Sequence, residues 1–159
     1  MSKELKYVVL HCSDTPNDMY VDGDMIRDWH TSSKPRGNGW KKVGYSKVIR
    51  RNGTVDTLVE DDNDGYVDSN EITNGAWGVN SISYHVCLIG GKNDKGQPAL
   101  EMTDEQKESL IGILKDKIVE KPDVKIAGHY HFSDYKTCPN FNLEQFLESI
   151  GVAKENILY

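Results

Sequence analysis

The sequence predicts an α/β fold in which a mixed central β-sheet is flanked by helices. Apolar β-branched runs alternate along the chain with segments of helical periodicity, and this alternation is typical of a sheet covered by helices. The 159 residues contain no domain linker, internal repeat or low-complexity tract. We therefore expect residues 1–159 to form a single domain around one hydrophobic core.

The first half of the chain predicts a strand, a helix and a hairpin, in that order. The run KYVVLHC is rich in β-branched residues and is typical of a buried strand. In DGDMIRDWHT, either Asp22 or Asp24 is the expected N-cap of a helix. Two β-rich runs then flank Asn52-Gly53 in GYSKVIRRNGTVDTLVE, and this residue pair accepts positive φ in a tight turn.

The second half predicts two further strands and two helices. SISYHVCLIGG is expected to be a central strand ended by glycines, and DVKIAGH is expected to be another strand. TDEQKESLIGILKDKI predicts a helix because Thr103 and Gln106 form a capping box. NLEQFLESIG predicts a last helix between Asn142 as N-cap and Gly151 as C-cap. The buried stripe of the longer helix is expected to consist of Leu110, Ile113, Leu114 and Ile118.

Composition makes nucleic-acid and membrane partners less favoured, although a local basic cleft is compatible with the total charge. The formal charge of −6 does not favour a nucleic-acid surface. No apolar run approaches the roughly 20 residues that a membrane helix needs, and the N-terminal segment lacks the features of a signal peptide. We therefore expect the protein to be cytoplasmic at synthesis, and we separately expect a monomer. Three cysteines are an odd count, which makes a disulfide framework unlikely and leaves a thiol for packing, metal or catalysis.

Three residues with ligand atoms for soft or borderline metals lie at the ends of predicted strands or in the loop just after one. They are His11, His129 and Cys138, the last two within AGHYHFSDYKTCPNF. Strand ends at one edge of a sheet commonly gather site residues in α/β proteins. Two imidazoles and a thiolate would leave the fourth position of a zinc ion open, as in catalytic sites. The alternatives are half-buried histidines with a packed thiol, or a thiol nucleophile, which would need its own base.

Five ordered blocks resemble the zinc N-acetylmuramoyl-L-alanine amidases, a family that includes phage lysozyme-type endolysins and is similar to peptidoglycan recognition proteins. The blocks are VVLHCSDT, DMIRDWHT, VGYSKVIRRNGTV, VCLIGG and GHYHFSDYKTCPNF, and they extend over nearly the whole chain. The resemblance implies an amidase/peptidoglycan recognition protein-like fold. It also implies hydrolysis of the amide between the lactyl group of N-acetylmuramic acid and the L-alanine of the stem peptide.

The resemblance also implies a role for each matching residue. His11, His129 and Cys138 correspond to the zinc ligands of the family. Lys136 lies where the family places a lysine that stabilises the oxyanion, and Tyr45 matches the tyrosine that orients the water or transfers its proton. Without the resemblance, Lys136 could equally be a solvated loop charge and Tyr45 a strand aromatic.

The chain departs from the family at several positions. Trp77 stands in the region of a histidine in the family's GAHA block, and we expect it to contribute to the wall of the substrate groove. His131 replaces an acidic residue, and it could support a ligand, contact substrate or replace His129 as the ligand. His85 stands where relatives often have glycine; with Cys87 it could mimic a metal site, but a packed strand pair is the expected role.

The segment EDDNDGYVDSNE resembles a calcium-binding loop. Glu60, Asp62 and Asp64 alternate, Gly65 allows a turn, and Glu71 falls at the twelfth position. The segment before it is a predicted strand and not the incoming helix of an EF-hand. A solvated acidic loop is therefore the default interpretation, with structural calcium as the alternative.

The combined interpretation is a zinc hydrolase of peptidoglycan, in particular a phage or prophage endolysin that acts on the host cell wall after release. The first alternative is a peptidoglycan-binding protein without catalytic activity, although binding alone would not require the zinc ligands. The second is a cytoplasmic amidase that recycles wall fragments. No segment of the sequence locates a surface for binding a polymerase.

Overall fold

A five-stranded mixed sheet forms the centre of the molecule in the computed structural model, which describes residues 2–159. The strands are β1 Lys3–Glu4, β2 Tyr7–Cys12, β3 Thr15–Pro16, β4 Lys47–Ile49, β5 Val55–Thr57, β6 Tyr66–Val67, β7 Ser83–Leu88, β8 Gly91–Lys92 and β9 Lys125–Gly128. The helices are α1 Gly23–Thr31, α2 Asp104–Glu120 and α3 Leu143–Ser149. The central sheet has the order β5-β4-β7-β2-β9, and two-stranded pairs β1–β6 and β3–β8 lie beside it. The predicted α/β class with a mixed sheet is confirmed.

The central sheet is mostly parallel, and its register determines which residues lie side by side. β2 pairs in parallel with both β7 and β9, and β4 pairs in parallel with β7. Only the hairpin partner β5 runs antiparallel to its neighbour within this sheet. Val9 on β2 therefore lies opposite His85 on one side and Ala127 on the other. Because side chains alternate along a strand, this register sorts neighbouring residues onto two faces of the sheet.

The two faces carry different clusters of apolar residues. On one face, residues of β2, β7 and β9 pack against α2 and α3; representative members are Leu10, Val86, Ile126, Leu110 and Leu147. On the other face, Cys87 and Ile89 pack against Ile26 of α1. β7 is buried along its whole length, as expected for a central strand covered on both sides.

Local sequence signals account for the ends of the helices. The Asp22 side chain accepts a hydrogen bond from Met25 N at 3.0 Å, so Asp22 is the N-cap of α1. Thr103 and Gln106 form the predicted capping box of α2, and Asn142 caps α3. Gly151 adopts φ +84° one residue after the C-cap of α3. The predicted N-caps and the capping box are confirmed, because each depends on hydrogen bonds between residues close in sequence. The predicted C-cap is displaced by one residue, since Ile150 is the C-cap and Gly151 supplies the left-handed residue after it.

The predicted hairpin forms between β4 and β5, and its turn differs in one detail. Gly53 has φ +87°, whereas Asn52 keeps a negative φ. Arg50 N donates to Thr54 O at 2.8 Å, and Gly53 N donates to Arg50 O at 2.8 Å. One left-handed residue, and not the expected pair, therefore closes the turn.

The buried stripe of α2 is wider and more polar than its apolar pattern predicts. Leu110 and Leu114 are buried as expected, but Gln106 and Lys117 are buried as well. The Lys117 ammonium contacts Asp61 and lies 2.9 Å from a Glu120 carboxylate oxygen. It also lies 3.8 Å from the ring centroid of Tyr84. The acidic loop after β5 is thus held against α2 by a buried cation.

Within residues 2–159, every helix is too short or too polar to cross a membrane.

Replacing Lys117 by methionine should destabilise the fold by about 3 kcal/mol, because the nearby carboxylates would be left without a cation. The measurement is the free energy of unfolding in urea. Lys115→Met is the matched control, since Lys115 is exposed on the same helix and should change stability by less than about 0.5 kcal/mol. Equal stability of the two variants would contradict a structural role for the buried cation.

Candidate active site

The structure brings the three predicted metal ligands together at the carboxyl edge of the sheet. His11 lies near the end of β2, His129 follows β9 directly, and Cys138 lies in the loop beyond. One ligand atom from each of the three residues lies within 4.8 Å of the others. The ring centroids of His11 and His129 are 4.7 Å apart. Two imidazoles and a sulfur at this spacing match the donor set that zinc prefers.

The two nitrogens of His11 differ in their surroundings. The residue is fully buried, and its Nε2 lies 2.9 Å from Nδ1 of His85. Its Nδ1 is buried and has no hydrogen-bond partner among the residues that the structure describes. Burial, and then the neighbouring imidazoles of His85 and His129, lower the pKa of His11 well below its ordinary value. A neutral ring with a free buried lone pair is suited to bind a metal ion.

A hydrogen bond to its sulfur holds Cys138 against the end of β2. The backbone N–H of Cys12 donates to Cys138 Sγ at 3.0 Å, an interaction that favours a thiolate. Without a cation, the hydrogen bond with the Cys12 thiol and burial raise the pKa of Cys138 well above its ordinary value. A free cysteine nucleophile requires the opposite shift. The surroundings of Cys138 therefore fit a metal ligand better than a thiol nucleophile.

A cleft of about 340 Å³ opens beside these ligands. Four of the residues predicted from the sequence line it, namely Tyr45, His129, Lys136 and Cys138. The cleft is also lined by Cys12, Ser13, Asp14, Trp40, Asn74, Gly75, Tyr135, Thr137 and Asn140. A larger depression of about 550 Å³ lies elsewhere on the surface, but no histidine or cysteine lines it. The ligand chemistry and the concave surface coincide only at the smaller cleft among the described pockets.

Tyr45 and Lys136 have different electrostatic properties in the cleft. The Tyr45 ring centroid is 4.8 Å from that of His11, and burial raises the pKa of the phenol well above its ordinary value. Its hydroxyl therefore stays protonated at neutral pH and can donate a hydrogen bond. Lys136 is exposed, and its charge, after burial, contributes to lowering the pKa of His129. The cleft thus combines a neutral hydrogen-bond donor, Tyr45, with an exposed cation, Lys136, that can reach a bound molecule.

His30 supports Tyr45, and the sequence analysis did not identify it. Gly44 N donates to His30 Nδ1 at 2.9 Å, immediately before Tyr45 in the chain. The His30 ring lies 5.2 Å from the Tyr45 ring and 4.8 Å from the Trp40 ring. His30 belongs to the DMIRDWHT block, and its presence in that block could have marked it as a candidate. Its position in the sequence, at the end of α1, does not indicate that it contacts Tyr45.

Two residues predicted to contact substrate lie outside the cleft. Trp77 is 92% exposed and is not among the residues that line the cleft, whereas Trp40 is. The Nδ1 of His131 accepts the backbone N–H of Gly128 at 3.0 Å, and its ring lies 4.2 Å from that of Tyr130. His131 therefore closes the turn after β9, and the cluster of ligand atoms contains His129 in its place.

The acidic loop does not assemble as a calcium loop of the predicted pattern. Glu71 occupies the twelfth position of the calcium-loop pattern, but its two carboxylate oxygens accept the backbone N–H groups of Asp62 and Asp68 at 2.9 and 2.8 Å. The carboxylates that come together are those of Asp62, Asp64 and Asp68, without Glu60. Calcium binding between Glu60 and Glu71 is therefore a prediction without structural support, and the loop folds around Glu71 instead.

Comparison with known proteins identifies the same family as the sequence blocks. The profile of the family described as N-acetylmuramoyl-L-alanine amidase matches residues 1–141. An endolysin of Enterobacteria phage K11 is 33% identical over 147 residues, which cover 92% of this chain and 88% of the endolysin. An endolysin of Escherichia phage T7 is 31% identical over 141 residues, covering 89% and 84% of the two chains.

Solved structures share the fold at lower sequence identity. The N-acetylmuramoyl-L-alanine amidase LysC from Clostridium intestinale superposes with a TM-score of 0.71 at 22% identity, over 94% of this chain and 87% of LysC. The Drosophila peptidoglycan recognition protein PGRP-LB superposes with a TM-score of 0.66 at 21% identity, over 98% and 88% of the two chains. The fold expected from the sequence blocks is confirmed.

The two histidines after β9 should differ in their effect on metal binding. His129→Ala should abolish tight zinc binding because it removes a ligand, whereas His131→Asn should bind one zinc per chain like the wild type. Asparagine keeps an acceptor for Gly128 N, so this variant removes only the imidazole. Zinc stoichiometry after dialysis, measured by atomic emission, distinguishes the two. Loss of zinc in His131→Asn with retention in His129→Ala would exchange their roles.

Proposed function

Because the chain belongs to the N-acetylmuramoyl-L-alanine amidase family, we propose that it hydrolyses peptidoglycan at a zinc ion held by His11, His129 and Cys138. The protein is an amidase of the phage endolysin type, and the bond it cleaves joins N-acetylmuramic acid to L-alanine. We further propose that residues 1–159 act as one domain. The observation that carries the zinc proposal is the buried, unpartnered Nδ1 of His11 beside His129 and Cys138, as seen within the described part of the chain.

Zinc, when bound, supplies Lewis acidity: it polarises the amide carbonyl and makes a water molecule acidic enough to attack near neutral pH. The chain's contribution begins with the ligands. Burial lowers the pKa of His11 and His129 and favours their neutral forms, so each ring keeps one nitrogen with a free lone pair for the metal. Cys138 loses its proton when a cation binds, and the Cys12 N–H then stabilises the sulfur charge.

Two residues of the cleft act on the substrate. Lys136 is the cation available to stabilise the negative charge that develops on the carbonyl oxygen. Tyr45 keeps its proton and can orient the attacking water or the carbonyl by donating a hydrogen bond. The cleft walls formed by Trp40, Asn74 and Tyr135 offer aromatic and amide groups for the glycan and stem peptide.

These observations bear on the two alternatives, a binding protein without activity and a cytoplasmic recycling amidase. A binding protein without activity would not need a set of neutral, buried ligand atoms, and holding them in place costs solvation energy. A cytoplasmic recycling amidase would share the chemistry. The relatives that match over about nine-tenths of the chain are named endolysins, which favours action on the host cell wall after release.

Substitution of Cys138 separates a metal ligand from a nucleophile. Cys138→Ala should lose tight zinc binding and amide cleavage together, because it removes a ligand. Cys138→Asp should keep zinc and part of the activity, because a carboxylate also binds zinc but cannot act as a thiol. Cleavage is measured as new L-alanine amino termini released from purified peptidoglycan, with and without a chelator. Activity that survives chelation but is absent from Cys138→Asp would replace the zinc proposal with a thiol mechanism.

Substitution of Lys136 tests the stabilisation of charge in the transition state. Lys136→Met should lower kcat and kcat/KM together by about 10²- to 10³-fold while zinc stays bound, since the lost interaction forms only in the transition state. Lys95→Met, at an exposed position of the loop after β8, is the charge-matched control and should keep full activity. An increase in KM at unchanged kcat would instead assign Lys136 to substrate binding.

A further inference from the structure

A chain of hydrogen-bonded side chains leads from the surface turn before β7 to the metal ligand His11. Asn80 Oδ1 lies 2.9 Å from His85 Nε2, and His85 Nδ1 lies 2.9 Å from His11 Nε2. His11 and His85 are fully buried, and they lie on the same side of adjacent parallel strands. None of the roles assigned above to residues of the cleft uses His85.

The donor and acceptor of each hydrogen bond in this side-chain series follow from the bonds made by Asn80 at the surface. The backbone N–H groups of Gly75 and Ala76 donate to Asn80 Oδ1 at 3.0 and 2.9 Å, so this atom is an acceptor. His85 Nε2 must therefore carry a proton and donate to Asn80. In a neutral imidazole, the other nitrogen is then an acceptor. His85 Nδ1 consequently accepts, and His11 Nε2 must donate.

This direction determines which nitrogen of His11 faces the metal. With the proton on Nε2, the lone pair of the neutral His11 ring lies on Nδ1. That nitrogen is the buried one without a partner among residues 2–159. Within the described structure, no carboxylate bonds to either ring, so nothing favours a doubly protonated imidazole in this buried environment.

Gly75 provides the space that the His85 ring occupies. A Cβ atom at position 75 would lie 2.4 Å from His85 Nδ1 and 2.5 Å from its Cγ. Any side chain there would displace the ring from His11. Gly75 is at the same time one of the residues whose N–H fixes Asn80 as an acceptor. Gly75 and Asn80 therefore both act on His85: Gly75 leaves room for the ring, and Asn80 accepts a hydrogen bond from it.

We propose that His85 is a positioning residue for the metal centre: its Nδ1 accepts a hydrogen bond from His11 Nε2–H, which selects the tautomer with a free Nδ1 and orients that nitrogen toward the metal. The proposal rests on the assignment of His11 as a zinc ligand. It goes beyond that assignment because it gives a function to a histidine that sequence analysis expected only to pack beside Cys87.

The first test observes the tautomers directly. The chain has five histidines, and long-range ¹H–¹⁵N spectra of the full chain distinguish protonation at Nδ1 from protonation at Nε2. Signals are assigned by replacing one histidine at a time. We expect His11 and His85 to carry their protons on Nε2, both before and after one equivalent of zinc is added. A proton on His11 Nδ1 before zinc is added would overturn the proposal, whether or not zinc binds.

The second test uses a matched pair of variants at position 85. Leucine and asparagine are both branched at Cγ, but only asparagine places an acceptor where His85 Nδ1 lies. His85→Leu should weaken zinc binding by about 10- to 100-fold, measured by competition with a chromophoric chelator, and His85→Asn should recover most of this loss. Equal zinc affinities of the two variants would overturn the proposal.

Two further variants separate positioning from general destabilisation. Gly75→Ala changes no hydrogen-bonding side chain but displaces the His85 ring, and it should weaken zinc binding in the same direction. Val86→Ala leaves a cavity on the opposite face of the same strand, so it should lower the melting temperature and leave zinc affinity unchanged. Wild-type protein that binds no zinc would refute the proposed metal site itself. Wild-type affinity in both Gly75→Ala and His85→Leu would refute only the role of His85.

Discussion

The parallel pairing of β2 with β7 and β9 is the constraint on which the rest of the site depends. Parallel strands end at the same edge of a sheet, so the carboxyl ends of β2 and β9 place His11 and His129 next to each other. The register with β7 sets His85 two positions from the residue opposite His11, on the same face. A shift of one residue would turn these imidazoles into the apolar cluster on the other face.

The two faces of the sheet divide stability and chemistry between them. The face toward α2 and α3 is filled with aliphatic side chains, which hold the strands in register. The opposite face carries buried polar groups whose hydrogen bonds must be satisfied internally. A buried acceptor without a partner costs about 1–3 kcal/mol, and a metal ion on His11 Nδ1 would recover that cost. If zinc binds as proposed, the unpartnered nitrogen therefore lowers the stability of the metal-free chain and favours binding of the ion.

The third proposed ligand, Cys138, comes from a loop, and hydrogen bonds hold this loop to the sheet at several points. Cys138 Sγ accepts the Cys12 N–H, and Tyr130 N donates to Cys138 O at 3.1 Å. The Asn140 amide donates to Gly91 O at 2.9 Å and to the Asp14 carboxylate at 3.2 Å. These bonds connect the loop to the end of β2, to the residue Asp14 just after it and to β8, so the sulfur is held in place without depending on the loop's own rigidity.

Much of the fold and of the candidate site could be predicted from the sequence by itself. Caps, strand periodicity and the hairpin turn depend on neighbours in the chain, and the ordered blocks around His11, Tyr45 and Cys138 identify the family and its cleft. Only the tertiary structure decided which histidine after β9 lies beside His11 and Cys138, that Glu71 supports a loop, and that Lys117 is buried. It also decided that His85 contacts His11, 74 residues away in the chain. The physical reason is that a lone pair, a proton or a buried charge acquires its role from partners distant in sequence, which local patterns do not specify.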